Sequence, residues 1–133
     1  MDIDPEKREG LLEASALAGN ETINGLELRP VTSATWSLLS RMRNPFVTGE
    51  QNGDYAFAVY SFVYLHSQPL AKIRARIATI SQLEADIFEF MDGRPVSEAF
   101  AFMPWVTRQV ETVAATITAV TGATSAPDAD PKA

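Results

Sequence analysis

Between Tyr55 and Leu65 the chain stops alternating between apolar and polar positions: the stretch AFAVYSFVYL is apolar on nearly every side. A helix with that pattern is surrounded by others. Asp54, after Gly53, supplies its N-cap, and Ser67-Gln68-Pro69 ends it. A helix over about 54–66 is therefore expected to be the most buried element, its tyrosines giving large apolar area with hydroxyls that can reach the surface.

The flanking segments are amphipathic. Asp4-Pro5 with Glu6 opens a helix over about 5–18, ended by Gly19-Asn20. Its apolar content (Leu11, Leu12, Leu17 and several alanines) is thin, so only marginal docking is expected. Asn24-Gly25 is a two-residue hairpin signal between Thr22-Ile23 and Leu26–Arg29. Leu26 and Leu28 then share one face, and Glu27 and Arg29 the other. Thr32 caps a second helix over about 33–43, with Val31 and Trp36 placed as a hydrophobic staple. Trp36, Leu39 and Met42, with Leu38 beside them, form its inner stripe, and Asn44-Pro45 stops it, leaving a long loop before the central helix.

Leu70, Ile73, Ile77 and Ile80 keep helical spacing, and Leu83, Ile87, Phe90 and Met91 continue it. Ser81-Gln82-Leu83-Glu84 has the form of a capping box, so the segment reads equally as one helix or two. Asp92-Gly93-Arg94-Pro95 is a turn. Val106, Val110, Val113, Ile117 and Val120 repeat at four and three, a long helix that Pro104 either begins or kinks if it starts near Ser97. From Gly122 on, the composition is that of a disordered polar tail. The sum is an all-α fold: a compact bundle of five or six helices with a small N-terminal β-ribbon, one domain over 1–121 and a tail over 122–133.

Composition narrows the function more than the fold. An apolar fraction of 46% and 21% charged residues in 133 fit one globular domain with one core. Tyr55–Leu65 is too short to span a bilayer, and MDIDPEKREG lacks the basic start and apolar run of a secretory signal, so no membrane partner is expected. With no cysteine there is no disulfide, thiol nucleophile or thiolate metal site, and one histidine leaves no His-based metal cluster. A net charge of −6 opposes non-specific binding to nucleic acid.

Candidate chemistry is sparse. His66 has no nucleophile-elbow pattern to serve and reads as structural, favoured in a last helical turn by the dipole. Glu84, Asp86, Glu89 and Asp92 surround an apolar stripe and read as a solvated face. Lys72, Arg74 and Arg76, the only basic cluster, are separated by alanine and isoleucine without the aromatics of a nucleic-acid surface. The loop VTGEQNG has neither the lysine nor the spacing of a phosphate loop. No catalytic, metal or cofactor site is expected. The aromatic positions remain: Phe46 and Val47 after Pro45, and Phe100, Phe102 and Trp105 around Pro104, either close the core or, where they are exposed, line an apolar groove for a helical partner.

Two stretches, GLELRPVTSATWSLLSRMRNPFVTG at 25–49 and AVYSFVYLHSQP at 58–69, resemble the small tail assembly chaperones of tailed bacteriophages and prophages. The shared pattern is an L-x-L-R-P strand end, a helix with paired leucines, an N-P-F-x-x-G loop and an aromatic helix ending in S-x-P. The resemblance covers about half of the chain and includes no catalytic signature. It implies a mostly helical protein that keeps the helical tape measure protein soluble in the host bacterial cytoplasm, is absent from the finished particle and needs no cofactor. It also implies a longer, frameshifted form that recruits the tail tube protein; the sequence up to Ala133 shows no such extension. A homo-oligomer is compatible with it, and no motif residue carries over by position. The alternative expectation is a structural virion component, such as a neck or tail-completion protein.

Overall fold

The computed structural model describes residues 19–50 and 54–125. The expected helix over 5–18 and residues 126–133 of the expected tail lie outside them. Strands β1 (Glu21–Ile23) and β2 (Leu26–Leu28) pair antiparallel with Ile23 opposite Leu26. Asn24 and Gly25 between them take φ of 52° and 80°, the two left-handed residues that a type I′ hairpin needs. Leu28 is fully buried, and the backbone N–H of Arg29 donates to the His66 carbonyl at 2.8 Å. The Arg29 guanidinium adds a bond to the Leu65 carbonyl at 3.0 Å, so the ribbon closes the carbonyl end of the central helix.

Helix α1 (Ser33–Arg41) begins with a capping box in which both partners are threonines: Thr35 N–H donates to Thr32 Oγ1, and Thr32 N–H to Thr35 Oγ1. Its buried face is Thr35, Leu38, Leu39 and Met42, while Trp36 is only half-buried. What the sequence presents as a loop after Asn44-Pro45 contains a one-turn helix, α2 (Pro45–Thr48).

Helix α3 (Tyr55–Ser67) starts at Asp54, whose side chain accepts from Phe57 N–H at 3.1 Å. Every residue from Ala58 to His66 is buried. As the all-round apolar pattern predicts, α3 is the axis against which β2, α1, α2 and the later helices pack. The segment after Pro69 divides into two helices, α4 (Leu70–Arg74) and α5 (Ile80–Met91). Bonds from Arg76 N–H to Ile73 and from Thr79 N–H to Arg76, each three residues back, tighten the chain between them. Thr79 is the N-cap of α5, so the capping-box form at Ser81 is not used.

Helix α6 (Val96–Ser125) is continuous, with Pro104 inside it. It extends past the 121/122 boundary at which composition alone placed a disordered tail. Leu39, Phe62, Val63, Leu65, Leu83, Ile87, Phe102, Trp105 and Val106 are all 0% exposed and form one core around α3. The observed architecture is the expected small all-α bundle with a two-stranded ribbon.

Candidate functional site

The N-P-F-x-x-G stretch is a complete helical turn with both its caps. Asn44 accepts from Phe46 N–H at 3.0 Å, Pro45 takes the first helical position, and Gly49 closes the turn at φ 80°. The same Asn44 side chain, 3% exposed, donates to the Ala58 carbonyl of α3 at 3.0 Å. One asparagine thus both starts α2 and fixes it against α3. Phe46 is thereby held with its ring 5.7 Å from Tyr55 and 6.3 Å from Phe62, centroid to centroid.

Opposite Phe46 lies the first part of α6. Val96, Ala99, Phe100 and Met103 stand at positions i, i+3, i+4 and i+7, one helical face. Between this face and Phe46, Tyr55 and Val59 opens a groove of about 380 Å³. Its edges are unusually exposed for apolar side chains: Val96 is 72% exposed and Phe100 73%. Pro104 has no N–H to offer the Phe100 carbonyl, so the helical ladder lacks a bond on the same turn.

The five residues expected to line one groove are divided by the structure. Phe46 and Phe100 line it, and Val47 is half-buried against the core. Phe102 and Trp105 do not line it; both are 0% exposed and belong to the core. The reason is helical geometry: residues two apart on a helix point about 200° apart, so Phe100 and Phe102 cannot share a face. Tyr55, Val59, Val96 and Met103 line the groove without having been read from the sequence. Their signal was the 96–99–100–103 spacing, which becomes readable only if the helix begins before Pro104.

His66 sits at the other end of α3, 1% exposed. Its Nδ1 lies 2.6 Å from the Phe62 carbonyl, which only accepts, so Nδ1 carries the proton. Nε2, 2.8 Å from Thr35 Oγ1, then accepts from that hydroxyl. The Phe62 and Trp105 rings enclose the imidazole. Burial pushes its pKa down to about 4, with the Phe62 hydrogen bond opposing and the Arg29 charge adding. The last-turn histidine is therefore held neutral, with a hydrogen bond at each ring nitrogen.

Four ion pairs join charged side chains among the described residues. Glu98 accepts from Tyr60 at 2.7 Å, from Arg94 at 2.9 Å and from Asn24 at 3.3 Å, tying α3, the ribbon and α6 together. Burial pushes its carboxyl up, but the bonds from Tyr60, Arg94 and Asn24 with the Arg94 charge outweigh it, and the pKa lies below the ordinary carboxylate value. Arg76 pairs with the half-buried Asp86 at 2.7 Å, and Lys72 lies over the Tyr64 ring. Among the described residues no group of three or more His, Cys, Asp or Glu is placed to hold a metal ion. No helix among them is long and apolar enough to cross a membrane.

Compared with protein-family models, with curated proteins and with solved structures, the chain matches none of them.

Proposed function

We propose that the protein binds an apolar helical segment of a partner in the groove between α2, α3 and the start of α6, and acts as a tail assembly chaperone for a tape measure protein. The observation that carries this reading is the pair Val96 and Phe100, both more than 70% exposed at the edge of an otherwise apolar groove. Large apolar side chains held open to water on a rigid helix are the mark of a partner site. A partner helix inserting residues at i, i+3 and i+4 spacing would cover them, and the resemblance at 25–49 and 58–69 supplies the kind of partner. The chain's net charge of −6 suits a basic partner and keeps a crowded complex soluble.

Co-expression with a tape measure protein should raise that protein's soluble yield and allow the two to be co-purified. Phe46→Asp should abolish both effects. Unchanged solubility together with recovery of the chain in mature particles would overturn the chaperone reading in favour of a virion component.

A further inference from the structure

The groove beside α2 suits a helix with apolar residues at i, i+3, i+4 and i+7, and the chain itself presents such a helix on the same face. Val96, Ala99, Phe100 and Met103 have that spacing and form one wall of the groove, with Phe46, Tyr55 and Val59 across from them. Val96 and Phe100 stand up as a ridge, 72% and 73% exposed, beside a hollow of about 380 Å³. A two-fold axis turns a neighbouring ridge and hollow into an interface, because each copy's ridge then meets the other's hollow. With two α6 helices antiparallel about that axis, Phe100 of each copy packs against the Phe46 and Tyr55 rings of the other, a contact of the kind aromatic side chains favour.

Charge selects the same occupant. The chain carries a net charge of −6, so two copies repel one another over most of their surface. This face is the exception. From Pro95 to Thr107 the sole charged residue is Glu98, whose side chain is 10% exposed and bonded inward to Tyr60 and Arg94. Asn44–Gly49 and Tyr55–Leu65, which supply the other wall, contain no charged residue. Arg43 and Glu50, flanking the first of these stretches, pair with each other at 3.0 Å. A second copy therefore meets no like charge where the ridges cross.

We propose that two copies of the chain pair through this face, each lending Phe100 to the other's groove, and that the pair is the resting form a partner helix has to open. This rests on the groove being a docking site, as in the partner reading, and adds how that site is regulated. The seam spans two turns of α6 with a few flanking side chains, at the small end of specific interfaces. The pair is therefore weak, with a dissociation constant on the order of 10 µM. Weakness is what the role needs: the pair keeps Val96 and Phe100 out of water, and a longer helix displaces it by burying more surface.

Sedimentation equilibrium of the purified chain tests this without any partner. The mass should rise from that of one chain toward that of two across about 10 µM. Added salt should tighten the association, since it screens the net repulsion and finds no ion pair in the seam to weaken. Phe100→Asp and Val96→Asp should each weaken it at least about tenfold. Phe88→Asp, at a residue 55% exposed on α5 and outside the groove, should leave it unchanged. A chain that stays monomeric well above that concentration overturns the proposal, as does a dimer that salt dissociates or that survives both groove substitutions. A monomeric chain that still solubilises a tape measure protein sinks this proposal and leaves the partner reading standing. A dimer lost with Phe100→Asp, in a chain that solubilises nothing, upholds the pairing and sinks the partner reading.

Discussion

At the scale of single residues, His66 is the most informative side chain. In the unfolded chain it titrates near 6.5 and in the folded protein near 4. Between those values the unfolded state binds more protons, so stability falls as the pH drops through the window. A tenfold difference in proton affinity is worth about 1.4 kcal/mol, which puts the loss at about 3 kcal/mol between pH 6.5 and 4. Denaturant midpoints measured across that window should show the fall, and His66→Gln should flatten it. Glu98 adds to acid sensitivity further down: its carboxyl is held below the ordinary value, so its contribution is present above that value and disappears as the pH falls through the folded one. Phe62, 0% exposed and in ring contact with Phe46, His66 and Trp105, represents the core. Phe62→Ala should cost roughly 3–5 kcal/mol in urea unfolding.

At the scale of elements, the structure rewards local signals and penalises composition. The Asn24-Gly25 hairpin, the Thr32 cap and the Asp54 cap were legible because each is fixed by residues adjacent in sequence. The break between α4 and α5 was legible only as one of two alternatives: the capping-box form at Ser81 pointed to it, while the stripe through Ile73, Ile77, Ile80 and Leu83 passes across it and neither glycine nor proline marks it. The start of α6 is the earlier of the two that Pro104 left open, near Ser97, while its far end was misread from small polar residues. Helix α2 was missed although all its caps are in the sequence, because a four-residue helix holds only when something fastens it. That fastening is Asn44, and it yields a prediction. Asn44→Ala removes both the cap on Phe46 N–H and the bridge to the Ala58 carbonyl, and should cost about 1–2 kcal/mol. Asn44→Asp keeps the cap but loses the donor, and its denaturant midpoint should fall between the two.

At the scale of the whole molecule, α6 separates stability from recognition on one helix. Phe102, Trp105 and Val106 face the core, and Val96, Phe100 and Met103 face the groove. The sequence crowds these residues around Pro104 as a single aromatic patch; the helical period divides them. Trp105 is the clearest core case: it is 0% exposed, and its Nε1 is buried with no hydrogen-bond partner among the described residues. Burying that N–H unsatisfied costs free energy, so the ring is retained for its packing against Phe62 and His66. Trp105→Ala should therefore destabilise the fold by roughly 3–5 kcal/mol and reduce partner binding only in proportion to the unfolded fraction. Phe100→Asp is the opposite case. A residue 73% exposed loses little on replacement, so its unfolding midpoint should stay within about 0.5 kcal/mol of the parent while partner solubilisation is lost. Measuring unfolding and co-purification on the same two variants separates the roles. If Phe100→Asp binds as the parent does, the groove is not the partner site, whatever the fate of Trp105→Ala.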